Sequence, residues 1–239
     1  MQNQITKQVL ESLKKNPRLV ARYIDHTEVS PNSTAKDVEK LCAEAKKYNF
    51  YSVMVLPYYA PLAKKSLKDA EIKIGAVIGF PFGVQCTKAK IAEMEKAYPF
   101  VDEFDVVINR PALKNKDYNF ILKELKMLVR QKREKILKVI IESPELTENE
   151  IAKASELVLA SDADFVKTAV GLRGPAKIKH IQIMKKIVGN KIKIKASGGI
   201  KNFELALAFL EAGASRIGTS HGIKIVRSKV KKGEGYFFE

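Results

Sequence analysis

The sequence predicts an α/β fold, a single-domain TIM (β/α)8 barrel with an extra N-terminal helix. Short runs rich in β-branched and aromatic residues alternate with longer lysine-rich amphipathic stretches along the 239 residues, a pattern typical of strands that alternate with helices. No linker or shift in composition divides the chain, and barrels of this length commonly form one domain.

Eight runs have strand character, and a regular series of eight favours a closed barrel over an open sheet. In chain order they are 22–25, 51–56, 72–79, 102–108, 136–142, 164–168, 191–196 and 215–219.

The amphipathic stretches between these runs predict the outer helices. Thr147 and Glu150 have the spacing of a capping box at the start of one of them. The predicted helical stretches are 34–48, 88–98, 115–133, 147–160, 175–188 and 202–212. Within one domain, 1–239, we expect an N-terminal helix in 1–20, the barrel in 21–227 and a C-terminal tail in 228–239.

The chain is strongly basic, since 43 Lys and Arg against 27 Asp and Glu give a net charge of +16. This balance suits an anionic partner such as a phosphorylated substrate. Most lysines, however, fall on the polar faces of predicted helices, where water solvates them, so we expect neither nucleic acid nor membrane as a partner. The chain shows neither the apolar core of a signal peptide nor a spanning segment, which predicts a cytoplasmic protein.

The cysteines and histidines of this sequence predict neither a disulfide framework nor a metal site. Cys42 and Cys86 are too few for a disulfide framework and are expected to be packing residues. His26, His180 and His221 show no metal-ligand spacing. We therefore expect no metal site.

Alternation along the strands predicts which side chains enter the barrel. Strand side chains that face the outer helices must be apolar to pack on them. Because successive side chains of a strand point to opposite faces, a polar residue between two such apolar residues points into the barrel. By this rule Asp105, Lys138 and Lys167 point into the barrel. The same rule places three lysines of the seventh strand inside, namely Lys191, Lys193 and Lys195, with Lys195 nearest the carboxyl end.

An isolated ammonium inside a barrel either pairs with a carboxylate or loses its proton. A neutral lysine is a nucleophile that forms a Schiff base with a carbonyl, and a second cationic lysine nearby favours the neutral form. Lys167 and Lys195, on neighbouring strands, meet this requirement. The alternative is an ion-pair network with Asp105 that only holds the barrel together.

Two glycine-containing turns follow the last two strands. They are Ser197-Gly198-Gly199 and Gly218-Thr219-Ser220, each before a helical pattern. Backbone N–H groups at such turns bind phosphate, and barrels often place a phosphate site there. The residues thus predict an enzyme that handles a phosphorylated carbonyl compound through a lysine imine.

Seven ordered segments resemble the 2-deoxyribose-5-phosphate aldolase family of class I aldolases, over about residues 22–226. These segments are 23–27 (YIDHT), 77–81 (VIGFP), 105–109 (DVVIN), 138–142 (KVIIE), 165–168 (FVKT), 195–200 (KASGGI) and 216–220 (RIGTS).

The resemblance implies that Lys167 forms the imine, that Lys195 lowers the pKa of Lys167, and that Asp105 relays protons through a water. It places three more residues in the surrounding polar network, namely Asp25, Thr27 and Lys138. The implied phosphate-site residues are Gly171, Gly198, Gly199, Gly218 and Ser220. The implied reaction is reversible cleavage of 2-deoxy-D-ribose 5-phosphate to D-glyceraldehyde 3-phosphate and acetaldehyde, by a homodimer without cofactor.

The chain departs from the family pattern mainly around the substrate. Ala169 and Val170 replace small hydroxyl residues after the imine lysine, which removes possible hydrogen-bond donors. Arg173 stands in a shortened glycine-rich stretch, where it either contacts phosphate or is an exposed cation. Further departures lie at Glu28, Met54, Leu56, Arg110, Leu172 and His221.

These departures leave two alternative functions open. One is a related Schiff-base aldolase with another aldehyde or sugar-phosphate substrate. The other is a catalytically weak basic barrel that serves as a binding protein, although such a protein has no need of Asp105, Lys167 and Lys195.

Overall fold

Eight parallel strands close into one barrel in the computed structural model, which describes residues 5–228. Each strand pairs with the next, and the first pairs with the last, with Ile24 beside Ile217. The predicted barrel is therefore confirmed. The strands are β1 (Ile24–Glu28), β2 (Ser52–Val55), β3 (Lys73–Ile78), β4 (Glu103–Val107), β5 (Ile136–Ile140), β6 (Phe165–Lys167), β7 (Lys193–Ser197) and β8 (Arg216–Thr219).

Helices surround this barrel. They are α1 (Lys7–Lys15), α2 (Ala35–Tyr48), α3 (Ala60–Ser66), α4 (Thr87–Ala97), α5 (Arg110–Lys114), α6 (Tyr118–Lys132), α7 (Glu148–Ala160), α8 (Ile178–Val188), α9 (Phe203–Glu211) and α10 (Gly222–Val226). Short 3-10 helices join them at Pro17–Tyr23, Pro57–Tyr59, Tyr98–Phe100 and Ser143–Glu145. Among residues 5–228, none of the helices has the length and apolar composition of a membrane-spanning segment.

The N-terminal segment differs in detail from the prediction. The helix α1 occupies only part of 1–20, and a 3-10 helix follows it because Pro17 suits its first turn and the Asn16 side chain accepts from the backbone N–H of Arg18. Arg22 and Tyr23 therefore belong to this helix, and β1 starts after them. Residues 1–4 of the predicted helix and 229–239 of the predicted tail lie outside the described part of the chain.

Local signals explain most boundaries. Thr147 and Glu150 form the predicted capping box at the start of α7, with each backbone N–H bonded to the other side chain. At the end of α8, Gly189 adopts a positive φ and the chain turns before β7 begins. Lys191 is consequently an exposed turn residue, and its predicted inward position is wrong.

The two cysteines differ in burial. Cys42 is buried, as expected of a packing residue, whereas Cys86 is exposed and does not have the predicted packing role.

The apolar core lies between the sheet and the helices. Alternate strand side chains, among them Phe104, Val139, Ile194 and Ile217, are fully or almost fully buried there. The opposite strand faces point into the barrel, where several charged side chains are buried instead. The fold therefore separates an apolar layer outside the strands from a polar interior.

One buried ion pair lies outside the barrel interior, between two helices. Lys90 of α4 is fully buried, and its Nζ lies 2.9 Å from Glu124 Oε2 of α6 and 3.0 Å from the carbonyl oxygen of Val107. Thr87 donates to the other Glu124 oxygen. Burial lowers the pKa of Lys90 against the attraction of Glu124. The pair joins α4, α6 and the end of β4.

Replacing Lys90 by methionine should lower the free energy of unfolding by about 3–5 kcal/mol, because Glu124 would remain buried without its cation. Denaturant unfolding of both proteins measures this difference. The double variant Lys90→Met/Glu124→Met should recover most of the loss, since it removes both charges. A single-variant loss below about 1 kcal/mol would contradict a structural role for the pair.

Candidate active site

Three lysines from three strands converge on one carboxylate inside the barrel. Asp105 of β4 accepts at Oδ2 from Lys167 of β6 and from Lys195 of β7, both at 2.7 Å. Its other oxygen accepts from Lys138 of β5 at 2.9 Å. The structure therefore brings together Asp105, Lys138, Lys167 and Lys195, which are four of the six charged residues that strand alternation selected.

These groups are withdrawn from water to different degrees. Asp105, Lys138 and Lys195 are fully buried, whereas Lys167 retains 6% exposure. Lys167 is the last residue of β6 and so lies at the carboxyl end of the barrel strands, the end at which barrel enzymes bind substrate. Of the four groups, Lys167 is the one placed to meet a ligand.

Burial and neighbouring charges set the protonation of this amine. Burial lowers the pKa of Lys167 to about 8, with Lys195 and Lys138 acting in the same direction and Asp105 opposing them. At neutral pH about a tenth of the protein then carries a neutral amine at this position. Lys167 is thus available as a nucleophile under ordinary conditions.

Asp105 remains ionised throughout the physiological range. Burial alone would raise the pKa of its carboxyl, but the ammonium groups of Lys138, Lys167 and Lys195 hold it well below the usual range. The carboxylate therefore acts first as an acceptor that fixes the positions of these ammonium groups.

Asp25 of β1 links this cluster to the far side of the barrel. Its carboxylate contacts Lys195, accepts from Ser52 at 2.7 Å, and accepts from Arg216 Nε at 2.8 Å. Arg216 of β8 also donates to Glu103 of β4 at 3.2 Å. Asp25 therefore lies within the polar network as expected.

The sequence reasoning missed Glu103 and Arg216. Both are buried and reach each other across the barrel. Glu103 is two residues before Asp105 on the same strand and so faces inward by the same alternation. Arg216 is next to the outward-facing Ile217, so alternation predicts that Arg216 also faces inward. The guanidinium of Arg216 lies 3.6 Å from the ring centroid of Tyr51.

Thr27 occupies an inward position of β1 but bonds locally. Its hydroxyl donates to the carbonyl oxygen of Asp25 at 2.9 Å. His26, of opposite alternation, is buried on the helix side, with Nε2 2.8 Å from Glu44 and its ring against Phe50. Burial lowers the pKa of His26, which is consistent with a packing role.

The predicted phosphate-site glycines divide into two groups. Gly198 and Gly199, after β7, have positive φ angles of 102° and 75° and pack closely on the loop that follows β6. The Gly198 carbonyl accepts from the N–H of Ala176, and Gly171, with φ 97°, faces Gly198. A Cβ at Gly198 would lie 3.2 Å from Ala169 Cβ and one at Gly199 would lie 2.8 Å from Pro175 Cβ, so a side chain at either position would obstruct the contact between the two loops.

Gly218 belongs to the barrel interior and not to a turn. It is a residue of β8, and a Cβ there would lie 3.0 Å from Lys195 Cε. The missing side chain therefore leaves room for Lys195. Ser220, the first residue after β8, is exposed, with its hydroxyl 3.2 Å from His221 Nδ1.

Arg173 lies at the rim on the loop after β6. Its side chain is 56% exposed, and Nε is 3.8 Å from Glu145. Glu145, in the 3-10 helix after β5, also pairs with Arg110 of α5. The two arginines and one carboxylate thus connect the segments that follow β4, β5 and β6, and leave Arg173 accessible to an anion.

Glu142 is a buried carboxyl that the sequence reasoning did not select. It follows β5 with a φ of 57°, and Oε2 accepts from the N–H of Val170 at 3.0 Å. Burial raises the pKa of Glu142. The contact fixes the start of the loop after Lys167, at the position where the family pattern has hydroxyl residues.

Within the described residues, no three His, Cys, Asp or Glu side chains converge as a possible metal site. A closed parallel barrel with a buried lysine at the carboxyl ends of its strands has the arrangement of an enzyme that forms a Schiff base with a carbonyl substrate.

Comparisons with known proteins agree with this class. The profile of the DeoC/LacD family aldolases matches residues 19–228. Deoxyribose-phosphate aldolase of Caldicellulosiruptor saccharolyticus is 47% identical over 212 residues, which cover 87% of this chain and 96% of the relative. The chain belongs to the DeoC/LacD family of aldolases.

Solved structures show the same fold. A putative deoxyribose-phosphate aldolase from Coccidioides immitis superposes with a TM-score of 0.86 at 36% identity, covering 88% of this chain and 85% of that one. The deoxyribose phosphate aldolase from Aeropyrum pernix, described as a unique tetramer, gives a TM-score of 0.83 at 26% identity, covering 92% and 97%.

Proposed function

We propose that this protein is a class I aldolase that reversibly cleaves 2-deoxy-D-ribose 5-phosphate to D-glyceraldehyde 3-phosphate and acetaldehyde. The observation that carries the proposal is the Lys167 amine, which shares the Asp105 carboxylate with Lys195, both at 2.7 Å, and lies at the carboxyl end of the barrel strands. Membership of the aldolase family and the names of the relatives support this choice of substrate.

In the cleavage direction, neutral Lys167 attacks the C1 aldehyde of the open-chain sugar, and loss of water gives an iminium. The iminium accepts the electron pair of the C2–C3 bond as that bond breaks, while the C3 hydroxyl loses its proton and becomes the aldehyde of glyceraldehyde 3-phosphate. The remaining enamine takes a proton at C2, and hydrolysis releases acetaldehyde and the free amine.

Asp105 relays the proton from the C3 hydroxyl to C2 through a water in this scheme. Because the surrounding ammonium groups keep its pKa low, the carboxylate holds the proton only transiently. Lys138 and Lys195 hold the carboxylate in place through direct contacts, and Asp25 holds Lys195 from its other side. No cofactor takes part.

Phosphate is proposed to bind at the two packed loops after β6 and β7, through backbone N–H groups near Gly171, Gly198 and Gly199. Ser220 lies at the neighbouring strand end, and Arg173 is accessible at the rim. A homodimer of one-domain subunits in the cytoplasm, without nucleic-acid or membrane partners, completes the proposal. The relative from Aeropyrum pernix is described as a tetramer, so the dimer is proposed from the family resemblance alone.

The test is reductive trapping with borohydride, followed by peptide mass mapping. The purified protein is incubated with acetaldehyde and, separately, with deoxyribose 5-phosphate. We expect an adduct at Lys167 from both compounds, together with release of acetaldehyde from the sugar phosphate. Free deoxyribose is the matched comparison and should react much more slowly.

An adduct from acetaldehyde alone would retain the nucleophile but contradict the proposed sugar phosphate, and would favour the related aldolase with another substrate. Absence of any adduct would contradict imine chemistry as a whole.

A further inference from the structure

Six charged side chains in the barrel interior form a closed ring in which acids and bases alternate. We call this set the charge ring. In ring order its members are Asp105, Lys138, Glu103, Arg216, Asp25 and Lys195.

The contacts run continuously around the ring. Lys138 Nζ lies 2.9 Å from Asp105 and 2.6 Å from Glu103. Arg216 bonds to Glu103 at 3.2 Å and through Nε to the next carboxylate, Asp25, at 2.8 Å. Lys195 contacts Asp25 and closes the ring at Asp105, 2.7 Å away. All six side chains are at most 4% exposed.

The ring is electrically neutral when fully ionised, since it contains three carboxylates and three cations. Each of its cations contacts two carboxylates. Within residues 5–228, Lys167 in contrast forms an ion pair with one carboxylate, Asp105, which already serves two other ammonium groups. Protonating Lys167 therefore leaves one uncompensated charge in the buried cluster, which is unfavourable in a medium of low polarity.

We propose that Glu103 and Arg216 are positioning residues that close the charge ring and, with opposite sign, set the pH at which Lys167, the one lysine bonded to Asp105 that lies outside the ring, loses its proton. This inference rests on the proposed imine function and extends it, because the family resemblance assigns the preparation of Lys167 to Lys195. Glu103 and Arg216 act through Lys138, Asp25 and Asp105 and need not touch the substrate.

The directions of the pKa shifts agree with the geometry. Burial lowers the pKa of Lys167 to about 8. Burial would also lower the pKa of Lys138, but its two carboxylate partners, Asp105 and Glu103, raise it instead. The charged groups that act directly on Lys167 are Asp105 of β4, Lys138 of β5, Lys195 of β7 and Glu142 after β5. Glu103 of β4, Asp25 of β1 and Arg216 of β8 lie one contact further away, bonded to Lys138, to Lys195 and to Asp25, respectively.

The two residues have opposite charge, so their removal should shift the pH dependence in opposite directions. Glu103→Gln removes an anion that favours the protonated amine, and the acid limb of kcat/KM should move to lower pH by about one unit. Arg216→Gln removes a cation and should move this limb to higher pH by about one unit. The rate of trapping with acetaldehyde and cyanoborohydride, measured between about pH 6 and pH 10, should shift likewise.

Two further variants separate charge from shape. Arg216→Lys keeps the charge and should leave the acid limb near that of the wild type. The double variant Glu103→Gln/Arg216→Gln leaves the ring neutral, so its acid limb should also return towards the wild-type position even if its rate is lower. Glu103→Gln is nearly isosteric, so if Arg216→Gln does not fold, the position of the acid limb in Glu103→Gln tests the inference by itself.

Equal losses of rate at every pH, without displacement of the acid limb in either single variant, would overturn the inference and leave Glu103 and Arg216 a purely structural role. This result differs from failure of the proposed function, in which the wild-type protein itself would form no adduct at Lys167.

Discussion

Replacing Lys167 by leucine should abolish turnover while the barrel stays folded. The substitution removes the amine that forms the imine, and loss of a covalent nucleophile costs on the order of 10⁶ in kcat. Removal of this ammonium leaves Asp105 with two cationic partners, Lys138 and Lys195. Rates of acetaldehyde release, mass mapping after reductive trapping and circular dichroism together measure the effect.

Lys191→Leu is the matched control. Lys191 lies only four residues before Lys195 but is exposed in the turn before β7, so its loss should leave activity unchanged. If the Lys167 variant retained more than about a hundredth of wild-type activity, the Lys167 amine would not be the nucleophile. A loss of only about 100-fold is what removal of a general acid or base can cause by itself.

Replacing Asp105 by asparagine should impair both stability and rate. The change leaves three buried ammonium groups around a neutral amide, and breaking a buried ion pair costs about 3–5 kcal/mol of folding free energy. Loss of the proton relay should lower kcat by about 10²–10⁴-fold. Denaturant unfolding and steady-state kinetics measure the two effects separately.

The double variant Asp105→Asn/Lys167→Leu tests the electrostatic origin of the instability. Because it removes one of the uncompensated ammonium groups, it should unfold at higher denaturant concentration than Asp105→Asn alone. Additive destabilisation by the two changes would mean that the side chains act independently, contrary to their 2.7 Å contact.

Strand alternation predicted the centre of the site because it depends only on which face must be apolar. It placed Asp105, Lys138, Lys167 and Lys195 inside the barrel, as the structure does. It was wrong for Lys191, because Gly189 ends α8 with a turn that delays the start of β7. The alternating pattern of the sequence extends through this turn, although the strand itself begins only at Lys193.

Other features depend on contacts between distant segments and could not be read from local patterns. The pairing of Arg216 with Glu103 joins residues 113 positions apart, and Lys90 resembles any other helix lysine until α6 brings Glu124 to it. The helices α3 and α10 span seven and five residues, which is too short for a helical period to be recognised.

The charge ring also affects how the protein responds to heat. The penalty for withdrawing ions from water falls as temperature rises, while the stabilisation from apolar burial levels off. Buried ion pairs such as Glu103 with Arg216 therefore become relatively more favourable in a hot environment. The residues that prepare the amine for reaction also shift the balance towards the folded barrel at high temperature, so catalytic chemistry and thermal tolerance depend on the same atoms.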